Sequence, residues 1–161
     1  MLQDIDIAIA ARADIPAVCD MLHALGAALN RADGVKSTPE HIARFAFDDP
    51  AFEAMIARHA TAPVGLAIYF YEFSTWRGLR GVYLQDLYVA EEMRGLGVGQ
   101  RLLSAVAERA RKRDARYMRL SIHAGNTGGL RFYERLGFVS QNEQVLVAEG
   151  KSYDALGTAD R

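Results

Sequence analysis

Three glycines at alternate positions, Gly95, Gly97 and Gly99, follow Arg94 and run directly into a segment of helical periodicity that begins near Val98. A helix starting there leaves its first backbone N–H groups without internal partners, with the positive end of the helix dipole behind them. Glycines clear side chains from that end and allow unusual backbone angles, so a phosphate-like anion can come close. Arg94 adds a fixed cation. The residues placed for such an anion are Arg94, Gly95, Gly97 and Gly99. The spacing differs from the dinucleotide fingerprint, whose glycines stand first, third and sixth after an opening strand. It also lacks the Gly-Lys-Ser/Thr ending of a Walker loop, because Gln100 follows Gly99. A purely structural turn remains the alternative.

The surrounding elements must hold this loop. Ile5, Ile7 and Ile9 alternate with polar or small residues, as in a half-buried strand. Asp14 is placed to cap a helix carrying Ile15, Val18, Cys19, Leu22 and Leu25 and fading over 26–30. A loop is expected over 30–37, then a short helix opened by Thr38-Pro39-Glu40 and stopped by Asp48-Asp49-Pro50. Strands are expected over 52–59, 64–73 and 81–89, with a tight connection at Ala62-Pro63 and a turn at Trp76-Arg77-Gly78. A helix over 98–113, a strand over 117–122 and a helix from Asn126 to Leu136, ended by Gly137, follow. Residues 138–146 could form a final strand pair, and the tail from Gly150 is weakly patterned. Helices and strands mixed around one sheet give an α/β or α+β class in a single domain spanning 1–161.

Bulk properties narrow the function. The 161 residues carry 19 basic and 20 acidic side chains, a formal net charge of −1, which gives no footprint for nucleic acid. The basic run over 109–116 reads as the solvated end of a helix, with a coenzyme or RNA contact as the alternative. One cysteine, Cys19, permits neither an intrachain disulfide nor a cysteine metal cluster, and the four histidines lack metal spacing. Neither a signal segment nor an apolar run of membrane-spanning length is apparent, so the expected compartment is the cytoplasm, without membrane or metal.

Leu87-Tyr88-Val89, four residues, and then Arg94 to Leu103 resemble the coenzyme motif of the GNAT N-acetyltransferases. In that family's pattern, Q/R-x-x-G-x-G/A, the fixed positions fall on Arg94, Gly97 and Gly99. A second run, Asn126 to Phe138, is similar to the family's N-x-x-A-x-x-F/L-Y-x-x-x-G-F helix, with Gly129 in place of the small alanine. The resemblance implies a mostly antiparallel twisted sheet, splayed at the coenzyme site and flanked by helices. It implies acetyl-CoA as co-substrate, with its pantetheine arm on the backbone of Leu87, Tyr88 and Val89 and further contacts from Asn126 and Gly129. It places the pyrophosphate on the backbone N–H groups of Arg94, Gly95, Leu96, Gly97, Val98, Gly99 and Gln100.

Acetyl transfer needs a neutral amine and a stabilised leaving thiolate. The resemblance gives Tyr133 the role of proton donor to the coenzyme sulfur. Gln85 and Asp86 are the candidates for the other end of the reaction. Many relatives carry a glutamate where Gln85 stands, which leaves Asp86 to assist deprotonation or bind a cationic substrate. The stretch from Val64 through Trp76-Arg77-Gly78 to Val89 is similar to diamine and polyamine acetyltransferases. Asp33, Gln85 and Asp86, with Glu72, are candidate acceptor contacts, and His123 is a minor proton-transfer candidate. So few carboxylates favour a diamine, an amino acid or a lysine-like acceptor over a larger polyamine. A protein or peptide acetyltransferase and a non-catalytic coenzyme sensor are the rival readings. A homodimer is implied, with the aromatic strand from Ile68 to Phe73 and the terminal strands as possible interface.

Overall fold

Five strands form one sheet in chain order: β1 (Ile5–Ile9), β2 (Glu53–His59), β3 (Ala62–Ser74), β4 (Leu79–Val89) and β5 (Ala115–Arg119). In this computed structural model, which describes residues 4–156, β1 to β4 pair antiparallel and β5 lies parallel to β4. The parallel step needs a crossover, supplied by a helix. All of this lies in the first of two units, which divide between Thr127 and Gly128.

In that unit α1 (Ile15–Ala28) and α2 (Pro39–Ala43) cover one face of the sheet. Val18, Met21 and Leu22 from α1 and Ile42 from α2 close over Ala54, Ile56, Leu66 and Ile68. The other face receives α3 (Val98–Arg111), whose Val98, Leu102, Leu103, Val106 and Ala110 are buried. Gly65 makes room for it: a Cβ there would come within 3.0 Å of Leu102. The expected α+β class and the mostly antiparallel sheet are therefore observed.

Several local expectations need correction. Asp14 makes no side-chain cap on α1. Its carboxylate instead accepts from the Ala11 N–H at 2.8 Å and pairs with Arg58 at 2.5 Å, tying β2 to the start of the helix. Thr38 does cap α2, accepting from the His41 N–H while His41 Nδ1 accepts from the Thr38 N–H. The turn between β2 and β3 falls at Ala60-Thr61, with Ala60 at φ 55°, because Ala62 and Pro63 already pair with His59 and Arg58. The helix α3 stops at Arg111 and β5 ends at Arg119, each short of its expected limit.

The basic run is not simply solvated. Arg109 donates to Glu53 at 2.8 and 3.2 Å, and Arg113 joins at 3.0 Å. The hydroxyl of fully buried Tyr69 donates to the same carboxylate at 2.6 Å. Desolvation works to raise the Glu53 carboxyl, but Arg109, Tyr69 and Arg113 outweigh it and hold the group below its ordinary value. The aromatic part of β3 is likewise internal at Ile68 and Tyr69, so of that stretch mainly Phe73 reaches solvent.

The second unit holds α4, which opens at the boundary (Thr127–Arg135), and α5 (Lys151–Leu156). The expected strand pair over 138–146 is absent; that stretch has no regular structure, and Val139, Val145 and Leu146 are exposed. The part of the tail that the structure describes forms α5, started by a reciprocal contact between Glu149 and Ser152.

Because Glu53 is depressed, its contribution to stability is complete above its unfolded value, about 4.5, and is lost as pH falls through the folded value. Glu53→Gln should cost roughly 2–3 kcal/mol at neutral pH by leaving Arg109 and Arg113 uncompensated. Denaturant melts from pH 7 down to pH 3 should show that the difference from wild type narrows on acidification.

Candidate active site

The centre of β4 is irregular. Ile68 opposes Asp86 and Tyr69 opposes Leu84, so Gln85 is an extra residue, a bulge. Gln85 is exposed there, while Asp86 is half-buried on the face that α1 and α2 cover. Burial pushes the Asp86 carboxyl above its ordinary value. Among the described residues no side-chain hydrogen bond or ion pair reaches it. A carboxylate kept partly from water without a compensating cation is poised to take a proton.

Next to the bulge, β4 loses a neighbour. Its pairing with β5 covers only Arg80 to Tyr83, whereas its pairing with β3 continues to Val89. From Leu84 onward, β4 therefore has an open edge. The Ala90 N–H donates to Val64 at 2.9 Å. Alternation then directs the backbone groups of Tyr88 towards β3 and those of Leu87 and Val89 towards the opening. That geometry suits an extended ligand lying along the strand, with Leu87 and Val89 supplying the bonds and Tyr88 packing against the core.

The chain leaves this edge through a single 3₁₀ turn, Glu91–Met93, and enters the glycine loop. Gly95 and Gly97 have φ of 74° and 79°, and Gly97 sits at the N-cap of α3. A Cβ at either position would meet no atom within 4 Å, so the space in front of the helix terminus is clear. The loop needs glycine for its backbone angles and for the approach of a ligand, not for internal packing. Arg94 donates from Nε to the Val89 carbonyl at 3.0 Å, which fixes its guanidinium beside the loop. Leu96 is half-buried, Val98 is buried within α3, and Gly99 and Gln100 form the first turn of that helix. These observations fit a diphosphate at the α3 terminus and an extended arm along β4.

On the same face as Asp86, the rings of Phe70 and Tyr83 stack with centroids 5.1 Å apart. Tyr83 donates to Ser121 at 2.9 Å where the chain passes beyond β5. Glu72 is bound by Arg119 through two bonds, 2.6 and 2.8 Å, and so is not a free acceptor contact. Desolvation works to raise its carboxyl, yet Arg119 and Tyr117 hold it below the ordinary value. Tyr83, Arg119 and Ser121 were not evident as site residues from sequence; the only signal was the i, i+2 spacing of Ile68, Phe70 and Glu72.

Asp33 lies exposed in a 3₁₀ turn after α1, and among the described residues no hydrogen bond or ion pair joins it to β4. His123 is exposed and its Nδ1 accepts from the Gly125 N–H at 3.1 Å, inside a turn closed by the Asn126 N–H on the His123 carbonyl. Its ring thus organises the turn that leads to Asn126. Within the second unit, the Tyr133 ring meets Phe132 and Phe138 edge-on at 5.1 and 5.3 Å, and Gly137 ends α4 at φ 88°. Gly129 is half-buried in the same helix. Among the described residues there is no cluster of side chains able to hold a metal ion and no helix long and apolar enough to cross a membrane.

A glycine-rich helix terminus at the end of a strand with an open edge, beside a half-buried carboxylate, can seat an extended anionic ligand next to a titratable group. The chain belongs to the acetyltransferase (GNAT) family, whose model matches residues 20–138; members of this family use acetyl-CoA as co-substrate. It is similar to the thialysine N-epsilon-acetyltransferase of Bos taurus, 32% identical over 115 residues that cover 66% of this chain and 67% of that protein. Similarity extends to the L-methionine sulfoximine/L-methionine sulfone acetyltransferase of Pseudomonas aeruginosa, 30% identical over 106 residues, 64% of this chain and 62% of the relative. A human spermidine/spermine N(1)-acetyltransferase-like protein 1 matches at 26% over 132 residues, covering 77% of this chain and 19% of its own. Among solved structures, the ribosomal-protein-alanine N-acetyltransferase of Brucella melitensis shares the fold with a TM-score of 0.74 at 24% identity, over 91% of this chain and 99% of that one. The enzyme is an N-acetyltransferase.

Replacing Gly97 by alanine isolates the loop's role. The φ of 79° makes the substitution cost about 1 kcal/mol of stability. The methyl group would also stand in the clear space at the helix terminus. The KM for acetyl-CoA should rise at least about tenfold while the thermal midpoint falls by only a few degrees, as steady-state kinetics and calorimetry can check.

Proposed function

We propose that this enzyme moves the acetyl group of acetyl-CoA to the primary amine of a small molecule by direct attack in a ternary complex. The observation that carries the reading is the unpartnered, half-buried Asp86 carboxylate beside the open edge of β4. An amine arriving as its ammonium is attracted to Asp86 and loses a proton to it, directly or through water. The neutral nitrogen then attacks the thioester carbonyl, the C–S bond breaks, and the departing thiolate takes a proton from Tyr133, whose phenolate regains one from the N–H that the new amide sheds, directly or through water. The role of Tyr133 rests on its place in the Asn126–Phe138 motif, where Asn126 and Gly129 would contact the coenzyme. The diphosphate would rest on the backbone N–H groups from Arg94 to Gln100, and the pantetheine arm on Leu87 and Val89.

Gln85 cannot accept a proton usefully and is assigned to acceptor binding at the exposed bulge. Asp33 is a weaker candidate for the same task. The names of the bovine and Pseudomonas relatives support an acceptor of amino-acid size. The resemblance also implies a cytoplasmic homodimer, for which sedimentation should give twice the chain mass.

Thiol release from acetyl-CoA across diamines, amino acids, polyamines and short peptides tests the reading. Saturable turnover with one small-amine class supports it, while turnover confined to peptides, or binding of acetyl-CoA with no turnover, would overturn it. Tyr133→Phe should lower kcat about a hundredfold with the KM for acetyl-CoA changed less than about threefold.

Asp86→Asn should lower kcat/KM about a hundredfold and remove the rise of activity with pH. Its effect on stability has the opposite sign. Since the folded state raises the Asp86 carboxyl from its ordinary 3.8, its proton-linked contribution is fully present below that pH and lost as pH rises through the folded value. The variant should therefore melt higher than wild type at pH 7, an advantage that disappears near pH 3.

A further inference from the structure

On the face that carries Asp86, β3 presents Ile68, Phe70 and Glu72 at alternate positions, opposite Asp86, Tyr83 and Gly81 of β4. The stacked rings of Phe70 and Tyr83 thus form an aromatic floor between two carboxylates. At about 3.3 Å per residue, Glu72 lies roughly 13 Å along β3 from Ile68, the neighbour of Asp86. That span is comparable to a short extended polyamine. A strip with carboxylates at both ends and aromatic rings between them has the chemistry to hold a polycation.

One end of the strip is closed. Arg119 reaches from β5 across the Tyr83 ring, its guanidinium carbon 5.0 Å from the centroid, and donates two bonds to Glu72. Arg77 adds a second cation at this end, 5.1 Å from the Tyr117 ring. Arg119 keeps about half of its side-chain surface exposed, whereas Glu72 keeps 17%. An incoming ligand therefore meets the cation of the pair before the anion.

We propose that the Glu72–Arg119 pair sets the charge of the acceptor, restricting efficient acetylation to amines with a single cationic end. Asp86 is then the one carboxylate of the strip that can take an ammonium, and a second ammonium along the strip meets Arg119 instead of a free Glu72. This inference rests on the acetyl-transfer reading above. Arg119 and Glu72 act on specificity and not on the chemical step.

The test compares kcat/KM for butylamine, 1,4-diaminobutane and spermidine, at saturating acetyl-CoA, in wild type, Arg119→Gln, Glu72→Gln and the double variant. Butylamine is the internal reference, and thermal melts establish that each variant is folded. Wild type should favour butylamine. Arg119→Gln frees Glu72 and should raise the ratio of spermidine to butylamine about tenfold. Glu72→Gln should lower that ratio, and the double variant should return most of the way towards wild type, which loss of packing alone would not produce. Ratios within twofold of wild type in both single variants would overturn the pair's role. Absence of wild-type turnover on every amine would instead overturn the acetyl-transfer reading, and this inference with it.

Discussion

The site depends on the early parting of β5 from β4. The two strands are joined only from Arg80 to Tyr83, and β5 ends at Arg119. Past that point β4 continues to Val89 with β3 on one side alone. The Gln85 bulge lies just beyond the last shared pair, where an extra residue increases the local twist and turns the strand away from its neighbour. At the fork the Tyr83–Ser121 bond joins β4 to the chain just past β5, and the Arg119–Glu72 pair joins β5 to β3. Without the fork, the backbone groups of Leu87 and Val89 would belong to a sheet ladder and offer nothing to a ligand.

The same sheet handles two carboxylates in opposite ways. Glu53 is surrounded by Arg109, Arg113 and Tyr69, so its charge is compensated and contributes to the fold. Asp86 is also partly buried but has no such partners among the described residues, so its charge is held at a cost. The difference follows from the face of the sheet. Glu53 shares its face with the basic last turns of α3, while Asp86 faces α1 and α2, whose buried residues are apolar. An uncompensated charge in a fold that compensates others is where chemistry is to be sought.

Strong periodicity made much of this legible. The alternation of Ile5, Ile7 and Ile9, the Leu102–Val106–Ala110 stripe and the three loop glycines each pointed to the element that the structure shows. What stayed hidden depends on pairing across the sequence. Nothing local to Gln85 announces a bulge, because it exists only relative to the register with β3. Glu72 stood as a candidate acceptor contact because nothing local in the sequence signals its pairing with Arg119, 47 residues away. The apolar residues over 138–146 suggested strands, but a strand requires a partner edge as well as a suitable composition.

The loop and the open edge are mechanically one object. Arg94 donates to the Val89 carbonyl, the last backbone acceptor of β4 on its open side. That bond leaves the rest of the guanidinium beside the α3 terminus, where the N–H groups converge. It also removes the Val89 carbonyl from those available to an extended ligand, leaving the Val89 N–H and both backbone groups of Leu87. A coenzyme bound here would therefore be read by position as well as by charge. In the proposed binding mode its anionic end would be set by Gly95, Gly97 and Arg94, and its arm would run back along β4 towards Leu87 and Asp86. The distance from helix terminus to carboxylate is fixed by one strand and one short turn, which is why a change in the loop should be felt at the reacting end.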